Sequence, residues 1–440
     1  MKTLLIAAFG FIALAGPAHA VGSVNLCEGL FTSKDRVEVP AVNKPPFMKY
    51  YREPAFGTRV IRITNSKKGE VHKPAYSTMQ AWNADESYLL LYRGGNDSGH
   101  VLLDGRSYKT IRELDIVPSD IEEVLWSHTD PDVFYYVSKY SRNYGSFKKY
   151  SVKADRSTVI RSFHDLCGKK GLPTNGNDPM MQSMDDDLFG FRCQLSDDSY
   201  QMFTYRPSTD EVISQGLSES AGWEPWTAPI PGPSGKQLWL QGSVLDPDLK
   251  TVKLKHDMAK FSEHGSIGLT HDGQDAVFQV VFDPSPNGCN EDLWQGVGHL
   301  VVHSMETGEC RSVVSEAKGY PYTTSGTHVS ALAHKRPGWV AMSSVGYGSF
   351  EFFTSKRKAP ALFSEIYLVN TDPDNEVVCR LAHHRSYSKD AKRASYRPYL
   401  GEPHATISPS GTRILFGSDW YDSGAVDAYV IELPAYRAAN

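Results

Sequence analysis

The chain has 440 residues, of which 51 are Asp or Glu and 46 are Lys or Arg, so its formal net charge is −5 at pH 7. This balance argues against a nucleic-acid-binding protein, because such proteins usually carry a net basic face. The composition of 40% apolar residues, 36 Gly and 26 Pro is that of a turn-rich globular protein and excludes a collagen, a coiled coil and a multi-span membrane protein.

The N-terminus has the parts of a secretory signal peptide. Met1-Lys2 is positively charged, an apolar run extends from Leu4 to Ala15, and a small-x-small pattern ends at Ala20. A transmembrane anchor needs roughly 20 apolar residues, and this run is shorter. We therefore expect a signal peptide over residues 1–20, export to the periplasm or the medium, and an N-terminal extension over residues 21–58.

Six cysteines follow the predicted cleavage site. In an exported protein an even number of cysteines indicates disulfide bonds, although sequence alone does not give the pairing. Among the pairings we favour Cys167 with Cys193.

Short apolar runs alternate with clusters of Gly, Pro, Asn and Asp, which predicts β-strands joined by turns. The runs repeat as a unit in which a short segment leads through an Asp/Gly turn into an apolar strand. Seven units begin near Met79, Val124, Met181, Trp226, His264, His328 and His404.

The spacing of most units is close to the roughly 40 to 50 residues of a four-stranded blade. It predicts an all-β fold, a seven-bladed β-propeller over residues 59–434. The last unit is one strand short, and residues 59–64 can supply that strand and close the ring. A pair of β-sandwiches would not repeat the turn seven times, and a β-helix would need a shorter period.

Three histidines occupy the start of consecutive units: His264, His328 and His404. If the ring closes, their imidazoles point into one volume, and such a set suits a divalent ion such as Zn²⁺ or Mn²⁺. Each histidine can instead be an ordinary packing residue. Cys289 lies in a long loop of the same unit as His264, so it is either a fourth ligand or the disulfide partner of Cys310.

Further polar candidates are expected on the same face of the propeller: His100, Tyr140, Arg142, Tyr144 and Arg192. An arginine fork suits a carboxylate, and His or Tyr can move a proton, so this set can bind an acidic sugar. Alternatively the loop residues are only solvated, and Arg192 forms a structural ion pair with Asp185 or Asp187. Trp420 is expected near this face, where an exposed ring can stack on a sugar, although core packing is the commoner role.

Motifs at the starts of the units resemble those of a known family. His264-Gly-Ser, His328-Val-Ser-Ala and the stretch from Glu402 to Asp419 are similar to blades of seven-bladed β-propeller polysaccharide lyases. This family includes oligogalacturonate, ulvan and rhamnose–glucuronate lyases. The likeness covers roughly residues 59–434.

The resemblance implies that His264, His328 and His404 hold a divalent ion (Zn, Mn or Ca) and that uronate chains are cut by β-elimination. In that reaction the carboxylate is neutralised, a base takes the C5 proton, and the O4 substituent leaves. The resemblance also assigns catalytic roles, which fall on His100, Tyr144 and Arg192, with Arg192 as the carboxylate clamp. A second family histidine falls near Gln80, which is not a titrating base, so we expect Gln80 to bind substrate together with Tyr140, Arg142 and Trp420.

Three functions follow from these patterns. The first is an exported, monomeric lyase acting on an acidic polysaccharide or oligosaccharide, of the ulvan or rhamnose–glucuronate type or else an oligogalacturonate lyase. The second is a non-catalytic periplasmic propeller that binds a protein or cell-wall partner. The third is a propeller hydrolase, which needs paired carboxylates, but the unit starts offer only Glu263 and Glu402.

Overall fold

Seven antiparallel sheets with almost no helix make up the computed structural model. The structure describes residues 24–95, 98–175, 182–217, 227–256, 264–281, 298–320, 327–345, 358–387 and 398–438. The sheets are the blades of a propeller, which confirms the fold predicted from the repeated turns. Within these ranges, no helix combines the length and apolar character needed to cross a bilayer.

The strands follow one another outward from the channel in each blade. Blade one contains Val71–Lys73, Tyr88–Gly94, Gly99–Asp104 and Thr110–Leu114; blade two Leu125–Trp126, Val133–Ser138, Ser146–Ser151 and Arg156–Ser162; blade three Phe189–Gln194, Tyr200–Arg206 and Glu211–Leu217. Blade four contains Ile230–Pro231, Leu238–Leu240, Ser243–Leu245 and Val252–Lys255; blade five Gly265–Leu269, Asp275–Val281, His299–Ser304 and Cys310–Val314. Blade six contains His328–Ser330, Trp339–Ser343, Glu365–Asn370 and Val377–His383.

The seventh blade joins the two ends of the chain. Its strands from the C-terminal part are Thr406–Ile407, Arg413–Ser418 and Asp427–Glu432, and Arg59–Arg62 pairs antiparallel with the last of them. This confirms the predicted closure. Tyr50–Arg52 adds a fifth strand to the same sheet. Within the described ranges the helices are short, with α-helices at His164–Cys167 and Pro434–Ala438 and 3₁₀ turns at Ser141–Asn143 and Pro398–Gly401.

The inner strand of blade one begins eight residues before the predicted Met79, at Val71. After Lys73 the chain leaves the sheet over residues 74–80 and rejoins it at Trp82, which bridges to Leu89. The Gln80 amide nitrogen donates to the carbonyl of Leu332, at 3.1 Å, and to that of Ile407, at 3.0 Å. We call residues 74–80 the channel segment, and it ties blade one to blades six and seven.

Two disulfide bonds are fully described. Cys167 and Cys193 are bonded, as predicted, and Cys27 is bonded to Cys379 across 352 residues of sequence. Cys310 is disulfide-bonded as well, whereas Cys289 lies outside the described residues. The bond from Cys27 fastens the N-terminal extension to the outer strand of blade six.

A buried ion pair fastens the same extension further along. Both nitrogens of the Arg385 guanidinium fork donate to the Glu53 carboxylate, at 2.6 and 3.0 Å, and neither side chain is exposed. Burial alone would raise the pKa of the Glu53 carboxyl, but the charge of Arg385 holds it below its usual value. Each of the two buried charges is therefore stabilised by the other.

Replacing Arg385 tests this dependence. In Arg385→Met the Glu53 carboxylate is left buried without its main partner, and we expect the free energy of unfolding to fall by about 3–5 kcal/mol in urea denaturation. A matched control is Arg161→Met, whose partners Asp165 and Asp210 are 63% and 67% exposed, and which should cost less than about 1 kcal/mol. The double variant with Glu53→Gln should recover part of the loss. Equal losses for Arg385→Met and the control would contradict this account.

Candidate metal centre in the channel

The starts of blades five, six and seven bring three histidines together. His264 precedes the inner strand of blade five, His328 begins that of blade six, and His404 lies two residues before that of blade seven. The ring centroid of His328 is 4.7 Å from that of His264 and 4.3 Å from that of His404. His328 and His404 are fully buried, and His264 is half-buried. The three imidazoles thus share one volume at the channel.

A carboxylate completes the cluster. Glu402 Oε2 is 3.6 Å from His328 Nε2 and 3.8 Å from His404 Nε2, and one ligand atom from each of the three residues lies within 4.8 Å of the others. Ligands about 2 Å from one ion stand roughly 3–3.5 Å apart. A small inward movement of these side chains is enough to place a divalent ion between them.

His404 has two features typical of a ligand. Its Nε2 atom is buried and has no hydrogen-bond partner, which is unusual for a polar atom in a protein interior. Its φ of 41° lies in the left-handed region, where a non-glycine residue is strained, and such strain is often found at functional sites. The donor set and this orphaned nitrogen therefore fit a divalent ion.

The lowered pKa of His404 favours metal binding. Burial, and then the charge of Lys73, lowers the pKa of His404 well below its usual value, so its imidazole is neutral, the form that binds metals. Lys73 Nζ contacts His404 Nδ1, and burial lowers the pKa of the Lys73 ammonium to about 8. Above about pH 8, where the Lys73 amine is neutral, it can accept a hydrogen bond from the Nδ1–H of His404, which leaves the Nε2 lone pair for an ion.

Tyr76 forms the floor of this site. It belongs to the channel segment, and its ring centroid is 5.5 Å from that of His328 and 5.0 Å from that of His404. Only 4% of Tyr76 is exposed. The site is therefore closed on the side of the channel segment.

Tyr399 and Glu122 lie at the outer side of the site. Tyr399 is 38% exposed, whereas Lys73, His328 and His404 are 0% exposed. The Tyr399 hydroxyl donates to Glu122 Oε1 at 2.6 Å, and its ring lies 4.7 Å from that of His404. Burial raises the pKa of both the Tyr399 phenol and the Glu122 carboxyl.

Sequence reasoning missed Tyr399, Glu122 and Lys73, since none of them occupies a repeated position of the blades.

His100 does not reach this volume directly. It is 2% exposed, and its Nε2 donates to the backbone carbonyl of Ile121 at 2.8 Å. Burial lowers its pKa to about 4, so it is neutral near pH 7. Its contact fixes the backbone immediately before Glu122, so the structure places His100 behind the site.

Arg192 and Tyr144 lie in blades three and two. Arg192 is half-buried, its guanidinium carbon lies 5.8 Å from the ring centroid of Tyr200, and it interacts electrostatically with buried Glu123. Arg192 therefore faces Glu123, whereas Asp185 and Asp187 had been the alternatives from sequence. Tyr144 is half-buried, and its carbonyl accepts a hydrogen bond from His164 Nε2 at 2.6 Å.

The four predicted substrate-binding residues are dispersed. Tyr140 is 47% exposed and donates to Asp115 at 3.1 Å, and Arg142 is exposed. The Gln80 side chain is occupied by its hydrogen bonds to the carbonyls of Leu332 and Ile407. Of the two roles considered for Trp420, the structure shows core packing, because the residue is 3% exposed, packs on Tyr429 and donates to the Val42 carbonyl of the N-terminal extension.

Comparisons with known proteins support the architecture. No family model matches the chain, and no curated protein matches it. Among solved structures, the chain is similar to an oligogalacturonate lyase from Vibrio parahaemolyticus, with a TM-score of 0.59 and 14% sequence identity over 88% of this chain and 97% of that one. At this identity the likeness shows the propeller fold alone.

Removing one candidate ligand tests the metal centre. We expect wild-type protein to bind Zn²⁺ or Mn²⁺ and His328→Ala to bind it at least about tenfold more weakly, because one imidazole of the cluster is lost. Isothermal titration and metal analysis after dialysis measure this. His271→Ala is the control, since His271 is a 40% exposed histidine paired with Asp372. Equal affinity in His328→Ala and wild type would exclude the site.

The buried Glu123 predicts a pH dependence of stability. Burial raises its pKa to about 7, against the lowering effects of Asn175, Ser119 and Arg192. The folded state thus keeps a proton that the unfolded chain releases near its ordinary value of about 4.3. The free energy of unfolding should therefore fall as the pH rises from about 4.5 to about 7, by about 3 kcal/mol from this group.

The Glu123→Gln variant isolates this contribution. Its unfolding free energy, measured by urea denaturation across the same pH range, should fall less steeply than that of wild type. Glu113→Gln serves as control, because Glu113 is 64% exposed and pairs with Arg93 on the surface. Parallel pH profiles for wild type and Glu123→Gln would show that Glu123 ionises normally.

Proposed function

We propose that this protein is an exported lyase that cleaves uronic-acid-containing glycans by β-elimination at the channel site. The observation that carries the proposal is the convergence of His264, His328, His404 and Glu402 at the start of three consecutive blades. A purely structural propeller has no need of three imidazoles around one point. The propeller fold shared with an oligogalacturonate lyase supports the same reaction class.

The residues of this chain divide between holding an ion and handling protons. His264, His328, His404 and Glu402 would hold the divalent ion, which supplies positive charge against the substrate carboxylate and so acidifies the C5–H bond. Because His328, His404 and Glu402 are almost fully buried, the substrate would meet the site from the side of Tyr399 and Glu122.

Tyr399 and Glu122 are the proposed proton-transfer pair. Glu122 is a half-buried carboxylate that can take the C5 proton, and the Tyr399 hydroxyl, bonded to it at 2.6 Å, can deliver a proton to the departing O4 oxygen. His100 positions Glu122 by holding the carbonyl of the preceding residue. Arg192 and Tyr144 remain proposed substrate contacts on blades three and two, with Arg192 as the carboxylate clamp.

The substrate class is an acidic oligosaccharide or polysaccharide. Oligogalacturonate is favoured for the first assay because the similar solved structure is an oligogalacturonate lyase, and ulvan and rhamnose–glucuronate glycans follow from the sequence motifs. Two described disulfides fit an oxidising compartment, in agreement with the predicted signal peptide. We propose that the protein acts there as a monomer.

A second function is favoured by one observation. His328 and His404 are 0% exposed and Glu402 is 4% exposed, and a catalytic metal usually keeps one position open to substrate. The ion would then only stabilise the ring of a non-catalytic propeller, which would bind a partner through the same face.

An elimination assay separates the two functions. Each elimination leaves an unsaturated uronate whose ultraviolet absorbance can be followed with polygalacturonate, oligogalacturonates, ulvan and glucuronan. For a lyase we expect Tyr399→Phe to reduce kcat by about 10²–10⁴-fold, because a proton donor is lost, while metal binding is retained. Tyr140→Phe is the matched control, an exposed tyrosine with one hydrogen bond to Asp115. Metal binding without conversion of any acidic glycan would support the non-catalytic propeller.

A further inference from the structure

A second pair of histidines lies where the inner strands end. His128 follows Leu125–Trp126 in blade two, and His334 lies six residues after His328 in blade six. A chain advances up to about 3.3 Å per residue, so His334 can be as far as about 20 Å from the metal centre described above. The ring centroids of His128 and His334 are 4.7 Å apart, with the rings edge to face.

The imidazole of His334 has unfulfilled hydrogen-bonding capacity. Both of its ring nitrogens are buried, and neither has a hydrogen-bond partner. Nearly all buried polar atoms in proteins are paired with protein or with an ordered water or ion. Two orphaned nitrogens on one ring therefore indicate that something occupies the space beside His334.

That space exists. A cavity of about 110 Å³ and an adjoining one of about 50 Å³, both partly open, are lined by His128, His334, Met184, Gln80 and Trp126. Either volume exceeds the roughly 10–15 Å³ that one water needs. We call the two together the distal cavity. The channel segment, through Gln80, forms part of its wall.

The backbone of His128 is held in place. Asp186 accepts the backbone N–H of His128 at 3.0 Å, the hydroxyl of Ser127 at 2.6 Å and the side-chain amide of Gln182 at 2.9 Å. The Asp186 carboxylate therefore holds the loop that carries His128 in place. A position fixed in this way favours a preorganised ligand over a mobile surface side chain.

The candidate metal donors at the distal cavity are borderline to soft. They are the imidazoles of His128 and His334 and the thioether of Met184, and Lys335 contributes a positive charge at the wall. Among the described residues, the only group of three His, Cys, Asp or Glu ligands is His328, Glu402 and His404. Zn²⁺ generally requires four nitrogen, sulfur or oxygen ligands. Imidazole and thioether donors suit Cu(I), a monovalent ion that is also less repelled by Lys335.

We propose that His128, His334 and Met184 form a Cu(I) site in the distal cavity, separate from the metal centre of His328, Glu402 and His404. Two imidazole nitrogens and one thioether sulfur give a three-coordinate site, with the Asp186 loop as its support. The proposal does not depend on the lyase activity.

Copper competition with the full, disulfide-bonded chain tests the proposal. Cu(I), kept reduced with ascorbate, is titrated against the chromophoric chelator bicinchoninate. The described part of the chain has no free cysteine to compete. We expect one Cu(I) per chain in wild type and in His328→Ala, at least about tenfold weaker binding in His334→Leu, and weaker binding in Met184→Leu. X-ray absorption of the copper-loaded wild type should show nitrogen and sulfur neighbours, with sulfur lost in Met184→Leu.

Other outcomes would overturn the site. If wild type competes for Cu(I) no better than His334→Leu, the two nitrogens contact only water. If His328→Ala loses the copper, the ion was bound at the other metal centre. Thermal unfolding shows whether His334→Leu is folded, and His128→Gln provides a second variant that removes one imidazole with a smaller change in shape. Unchanged copper affinity in a folded His128→Gln would also contradict the proposal.

Discussion

The whole architecture depends on the pairing between the two ends of the chain. Arg59–Arg62 bonds along Asp427–Glu432, and without it the last blade would expose an open edge and the ring would not be closed. Val60 and Ile61, on opposite faces of this strand, pack into the clusters on either side of blade seven. Closure fixes the distances between inner strands. It therefore also brings the histidines of blades five, six and seven to one point on the channel.

The N-terminal extension reinforces this closure by contacts of different kinds. The Cys27–Cys379 disulfide links it covalently to blade six, and the Glu53–Arg385 pair adds a buried charge contact. Its Val42 carbonyl accepts the indole hydrogen of Trp420. The residues that precede the propeller in sequence are thus part of the structure that holds blades six and seven together.

The sequence predicted what the repeat determines and failed where the chain departs from it. The blades, their closure and the meeting of His264, His328 and His404 follow from equivalent positions in successive units, so periodicity was sufficient. The channel segment interrupts blade one, and this interruption places Lys73 against His404. Trp420 was expected near the substrate face, but it donates to the Val42 carbonyl, a contact across 378 residues that no local pattern indicates.

The channel segment also explains why one protein can have two unlike groups of histidines. Tyr76 packs against His328 and His404 at one end of the segment, and Gln80 lines the distal cavity at the other. The carboxylate of Glu402 joins only the first group, where it favours a hard divalent ion, whereas Met184 lines only the second. Since ligand type governs which metal a site prefers, the same imidazole chemistry would be directed to different ions at the two proposed sites. The five residues between His328 and His334 are all buried, and they keep the two donor sets apart.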